Sequence, residues 1–150
     1  MQAQHIMKQD VITVKDSDTV KTVIQKFITH GISGLPIIDN HHHIIGYISD
    51  GDIMRYIGKH REIMINTFNY IAVVKDQDDY EERTQKLLEL NVMTVAKTSV
   101  LKISYNEDVE NIAAILGKKH IKKLPVERDG KLVGIISRGD VIRESFKSLL

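Results

Sequence analysis

One segment of this chain is written twice, and whatever the first copy folds into the second should fold into as well. Ile32-Ser33-Gly34-Leu35-Pro36-Ile37 returns as Ile121-Lys122-Lys123-Leu124-Pro125-Val126. Shortly after it, Gly46-Tyr47-Ile48-Ser49-Asp50-Gly51-Asp52-Ile53-Met54-Arg55 returns as Gly134-Ile135-Ile136-Ser137-Arg138-Gly139-Asp140-Val141-Ile142-Arg143. The first pair runs from 32 to 121, an offset of 89, and the second from 46 to 134, an offset of 88. The two prolines, Pro36 and Pro125, occupy equivalent places. Self-similarity at this level marks a tandem duplication of a unit of about fifty residues.

Each unit carries the same pattern. Residues 11–14 and 99–104 are short runs rich in β-branched side chains and predict strands. Val20, Val23, Ile24, Phe27 and Ile28 recur at helical spacing, as do Val109, Ile112, Ala113 and Leu116. Capping residues precede both helices, at 17–19 and 106–108, and Gly31 fits a helix stop. Two apolar runs around a polar turn follow, at 35–38 and 44–48 in one unit and 124–126 and 132–136 in the other, and predict a β-hairpin. A last helix opens at Ser49 and at Ser137. The order is strand, helix, hairpin, helix, an α+β fold of small sheets. The first repeat is placed at 1–57, a connection at 58–91 and the second repeat at 92–150. That connection is too long for a turn. Tyr80, Leu87, Leu88 and Leu90 suggest a helix over 79–90, opened by Asp76, Asp78, Asp79, Glu81 and Glu82, whose charges suit the positive end of a helix dipole. Residues 71–74 read equally as strand or buried coil.

Composition excludes several function classes. Lys plus Arg number 21 against 20 for Asp plus Glu, so the basic excess of a dedicated nucleic-acid binder is missing. Cysteine is absent, which removes disulfides, thiol catalysis and thiolate metal sites and fits a reducing, cytoplasmic setting. No apolar run reaches the ~18 residues of a membrane span, so no membrane insertion is expected.

The duplicated segments resemble a tandem pair of cystathionine-β-synthase (CBS) domains, a Bateman module. The markers are the Leu-Pro segment, the hairpin and the Gly-x-x-Ser-x-x-Asp sequence that leads into the last helix, each present twice and in order. The resemblance implies two three-stranded sheets with helices, packed about a pseudo-twofold axis, and two clefts between the repeats. There an adenosine compound such as AMP, ADP, ATP or S-adenosylmethionine would bind, with no obligatory cofactor. It also implies a disc-like homodimer that regulates an attached or separate protein, of an identity the sequence does not give.

The residues themselves leave two readings of the Ser-x-x-Asp sites. Ser49 with Asp52, and Ser137 with Asp140, have the spacing of a helix capping box. The same helix start suits a phosphate, and its carboxylate would, by the resemblance, accept from ribose hydroxyls. Ser33 and Gly34 are small enough to let a flat base approach, whereas the equivalent Lys122 and Lys123 would complement phosphates. By the resemblance, each cleft takes base contacts from one repeat and its carboxylate from the other. The better-equipped cleft would join Ile12, Ile32, Ser33 and Gly34 with Lys122, Lys123, Ser137, Arg138 and Asp140. A weaker one would join Leu101 and Ile121 with Ser49 and Asp52.

His41-His42-His43 does not make a metal site on this reading, because consecutive residues point different ways and no further ligand spacing converges. His5, His30, His60 and His120 are scattered and read as ordinary surface or structural residues. No phosphate-binding GxxxxGK[ST] loop and no supported nucleophile arrangement is present, so an enzyme is the least favoured class. A non-catalytic ligand sensor is preferred, with a dimerisation module bearing vestigial clefts as the alternative.

Overall fold

The structure, a computed structural model, describes residues 1–58, 63–67, 70–74, 79–118 and 121–150, the strands at 63–67 and 70–74 by their backbone. His60, His120, Asp76 and Asp78 lie outside the described residues. In chain order the elements are α1 (Ala3–Ile6), β1 (Val14–Lys15), α2 (Val20–His30), β2 (Gly34–Ile38), β3 (Ile44–Ser49) and α3 (Asp50–Ile57). The connection contributes β4 (Ile63–Thr67), β5 (Tyr70–Val74) and α4 (Tyr80–Glu89). A 3-10 turn at Val92–Thr94 then leads to β6 (Ile103–Ser104), α5 (Val109–Leu116), β7 (Lys123–Arg128), β8 (Lys131–Ser137) and α6 (Arg138–Phe146). Each repeat is a three-stranded mixed sheet, ordered β1-β2-β3 or β6-β7-β8, with a parallel first pair and an antiparallel hairpin.

Helix α2 buries Val20 and Val23, with Ile24 and Phe27 packed against the same core. It ends on Gly31 at φ 62, a left-handed conformation that a side chain disfavours. Ile28, counted on the apolar face from its spacing, is exposed instead. The connection helix starts at Asp79, whose side chain accepts from the Glu82 N–H at 2.8 Å, and it buries Leu87. Residues 71–74 belong to strand β5, paired antiparallel with β4 in a hairpin that the sequence reading did not anticipate.

The strands expected at 11–14 and 99–104 shrink to two residues each, for a specific reason. Only Val14 and Lys15 reach β2, and only Ile103 and Ser104 reach β7. The residues before them cross between the repeats. Val11 and Val100 pack on a small core of Ile38, Ile44 and Leu132, to which both hairpins contribute. The Leu132 N–H donates to the carbonyl of His42 at 3.0 Å, and His43 bridges Lys131.

That crossing exchanges the leading segments. Ala3 and Ile6 of α1 are buried in the core of the second repeat, with Ile112, Leu116, Leu124, Val126 and Ile136. Val92 is buried in the core of the first, with Leu35, Ile37, Ile48 and Leu87. Backbone pairs fix both segments to the open edges of the hairpins. Lys8 exchanges two hydrogen bonds with Ile135, both 2.9 Å, and Lys97 exchanges two with Tyr47, at 2.9 and 3.0 Å. Met7 lies against Gly134, where any added Cβ would collide with its side chain.

The last helix of each repeat opens on the predicted box. Oδ2 of Asp140 accepts from the Ser137 N–H at 2.8 Å and from its hydroxyl at 2.9 Å. Its Oδ1 accepts from Arg143 at 2.6 Å and lies 3.7 Å from the Lys8 ammonium. Burial of this 1% exposed residue opposes its charge, but those partners outweigh burial and hold the carboxyl below its ordinary value. Asp52 repeats the arrangement with Ser49 and Arg55.

Two predictions follow from this packing. Ile6→Ala should cost about 2–4 kcal/mol in urea unfolding, and amide exchange should quicken on β7 and β8 before β2 and β3. Faster exchange on the first sheet alone would contradict the exchange of segments. For Asp140, the folded state binds its proton less readily than the unfolded chain, so its contribution is fully present above about pH 4 and lost as pH falls through the lowered value. Thermal melts of Asp140→Asn should therefore lie below wild type at neutral pH and converge with it in acid.

Candidate functional site

A cavity of about 430 Å³ lies between the repeats. The first repeat supplies Ser33 and Gly34 from the start of β2, Tyr47 and Ser49 from β3, and Asp50, Gly51 and Arg55 from α3. Lys97, Ser99, Val100 and Leu101 come from the crossing segment, and Ile121, Lys122, Lys123 and Pro125 from the approach to β7 and that strand. The crossing makes the cavity, because residue 97 is pinned to β3 while residues 103 and 104 pair with β7. Pairing of Gly34 with Ser49 brings the small residue of β2 beside the start of α3. A Cβ at Gly34 would stand 2.6 Å from the Tyr47 hydroxyl, so a larger residue there would force the Tyr47 ring to move.

The lining is apolar along Val100, Leu101, Ile121 and Pro125 and cationic elsewhere, with Arg55, Lys97, Lys122 and Lys123 against the carboxylate of Asp50. Asp50 and Lys122 approach to 3.8 Å across the repeat boundary, the lysine largely open to solvent and the aspartate about half so. The Asp50 N–H donates to the Ser33 carbonyl at 2.7 Å, and its Oδ1 accepts from Gly51 N–H at 2.8 Å. The Tyr47 phenol is pushed up to about 12, first by burial and then by the nearby Asp50 charge.

The residues singled out from the sequence are divided by the structure. Ser33, Gly34, Lys122 and Lys123, assigned to one cleft, and Ser49, Leu101 and Ile121, assigned to the other, line this same cavity. Asp52 does not line it and is 6% exposed, with its oxygens bonded to Ser49 and Arg55. Ile12 and Ile32 pack against the first core. Ser137 and Asp140 close the start of α6, and Arg138 donates to the carbonyls of Leu116 and Lys118 at 2.8 and 3.0 Å. The repeat offset maps the cavity wall at Leu101 and Ile121 onto Ile12 and Ile32, and Ser49 and Asp50 onto Ser137 and Arg138. Those residues are therefore the repeat equivalents of this cavity's wall. Tyr47, Asp50, Arg55 and Lys97 were missed in the sequence. For Lys97 a signal existed, because the 89-residue offset sets it opposite Lys8.

At the hairpin tip, Asp39 Oδ1 accepts from the N–H groups of His41 and His43, both 2.9 Å, and its Oδ2 lies 3.2 Å from His43 Nδ1. These contacts shape a turn. Among the described residues no three His, Cys, Asp or Glu side chains converge, and no helix is long and apolar enough to cross a membrane.

Comparison with known proteins matches residues 3–59 and 92–147 to the CBS domain. Protein MJ1426 of Methanocaldococcus jannaschii, itself uncharacterized, is 29% identical over 95% of this chain and 89% of its own length. The chloroplastic CBSX1 of Arabidopsis thaliana is also 29% identical, and this chain spans 61% of it. Among solved structures, CBSX2 in complex with AMP superposes with a TM-score of 0.73 at 23% identity, over 99% of this chain and 98% of that one. The CBS domain pair of protein MJ0100, in complex with 5′-methylthioadenosine and S-adenosyl-L-methionine, gives 0.70 at 20% identity over 99% and 98%. The duplicated sequence, the paired three-stranded sheets and these matches together show that the chain belongs to the CBS domain family, as a tandem CBS pair, a Bateman module.

Proposed function

We propose that the chain is a regulatory sensor that takes an adenine nucleotide between its repeats and controls a partner protein through the resulting change in their arrangement. The observation that carries this reading is one cavity with an apolar wall, four cations and the start of α3, built from both repeats. Its volume lies within the range of small-molecule sites. The apolar wall at Leu101 and Ile121 suits a base, while Lys122 and Lys123 suit phosphates as point charges. The cleft around α6, with Ile12, Ile32, Ser137, Arg138 and Asp140, is the second place for such a ligand. The AMP complex of CBSX2 and the adenosyl complexes of MJ0100 support the ligand class. Because a ligand in the cavity touches both repeats, it favours the arrangement that holds them closest, which is a population shift rather than catalysis. The cytoplasm is the compartment assigned with this reading.

Ribose recognition by Asp52 or Asp140 requires a change of partner. Each carboxylate is engaged by its serine and by the arginine three residues on, so a ribose diol has to replace the arginine. Calorimetry with adenosine, AMP, ADP and ATP tests the whole reading. Affinity should rise with phosphate number and fall with salt. Lys122→Ala with Lys123→Ala should flatten the series. Asp52→Ala should weaken binding at the α3 start and Asp140→Ala binding at the α6 start, each loss being roughly 1.5–3 kcal/mol. Wild-type protein that binds none of the four overturns the nucleotide reading, and unchanged affinity in both folded aspartate variants removes the ribose role.

A dimer is part of the same proposal, resting on Met54, Ile142, Phe146 and Leu149. Ile53 is buried in the first core, and Ile57 and Val141 pack against the two cores, so these do not form a free face. Met54 and its repeat equivalent Ile142 are 57% and 61% exposed, with Phe146 and Leu149 exposed beyond them. Contact through this face should give twice the 17.1 kDa chain mass by light scattering, and Ile142→Asp with Phe146→Asp should return the monomer. A wild-type mass equal to one chain would remove the dimer.

A further inference from the structure

The two repeats keep the same cations around their helix starts, with Arg55 matched by Arg143 and Lys97 by Lys8, but they reverse one charge. Asp50, the first residue of α3, stands where α6 has Arg138. The two side chains are also engaged differently. Arg138 turns to the carbonyls of Leu116 and Lys118, at the end of α5 and just beyond it. Asp50 stays on the cavity wall and reaches Lys122 of the other repeat at 3.8 Å. Its charge is felt across that wall, since it helps to raise the Tyr47 phenol.

We propose that Asp50 is an internal competitor for the anionic end of the ligand, and that it sets how strongly this cavity distinguishes a phosphorylated nucleoside from an unphosphorylated one. Lys122 is among the cations a phosphate would approach, and Asp50 already holds it. The pair is exposed, so it exchanges readily, but an incoming phosphate has to displace one carboxylate and then remain near its negative charge. The α3 cavity therefore discriminates for phosphate less than its four cations alone would dictate. The proposal deepens the nucleotide reading and rests on it for the adenosine part of the ligand.

The test uses the full chain and two probes, inorganic pyrophosphate alone and the pair adenosine and ADP. In Asp50→Asn, pyrophosphate affinity and the ratio of ADP to adenosine affinity should both rise, by roughly fivefold to twentyfold at low salt. Asp50→Ser, which keeps a residue suited to a helix start, should give the same direction if the asparagine variant is poorly folded. In a Lys122→Ala background the gain should largely vanish, because the competitor then has nothing to hold. A ratio that does not change, or a gain that survives Lys122→Ala, overturns the role of Asp50 while nucleotide binding stands. A pyrophosphate gain without binding of adenosine or ADP keeps the competitor and overturns the adenine reading. Absence of binding by all three probes, in wild type and variants, overturns both.

Discussion

The exchange of leading segments holds this structure together. A three-stranded sheet with a two-residue first strand has an open edge and, in a unit of about fifty residues, only a small core of its own. Residues 3–8 and 92–97 remedy both defects at once. Lys8 and Lys97 pair with the outer hairpin strands, while Ile6 and Val92 fill the core behind each sheet. Burying one such side chain is worth about 1.5–3 kcal/mol, and each segment comes from the other side of the duplication. Neither repeat can be completed without the other. The chain must then cross back at 9–13 and at 98–102, and the second crossing forms a wall of the cavity.

Much of the fold was legible in the sequence because the pattern was written twice. The hairpins at β2–β3 and β7–β8, helices α2 and α5 and the capped starts of α3 and α6 all follow from local periodicity and turn residues. Periodicity does not show on which sheet a segment lands. The β-branched run before β6 reads as strand whether it pairs along its length or leaves after two residues, and only packing on Ile38, Ile44 and Leu132 decides. Ile53 illustrates the same limit, since its place in α3 does not by itself say whether the side chain meets the core, as it does, or a partner.

The site was legible to the level of segments and no further. Sequence grouped Ser33, Gly34, Lys122 and Lys123 with the helix start at Ser137, whereas the cavity joins them to the one at Ser49. It did not separate the two meanings of Ser-x-x-Asp, because a capping box and a ribose site use the same spacing. In the structure both carboxylates serve the helix start and an arginine. Arg138 shows how a side chain can match a motif and still be committed elsewhere, here to carbonyls around the end of α5.

Duplication also explains where the repeats are free to differ. Serine, aspartate and arginine at 49, 52 and 55 recur at 137, 140 and 143, because each set closes a helix and compensates a buried charge. Removing one partner would leave an unpaired carboxylate, which penalises divergence at those positions. No such penalty applies to the side chains that project into the space between repeats. Around the cavity, Ser33 and Gly34 differ from their equivalents Lys122 and Lys123, Tyr47 from Ile135, and Asp50 from Arg138, which bonds instead to carbonyls near the end of α5. The differences thus collect around the cavity between the repeats, while the capped helix starts stay alike.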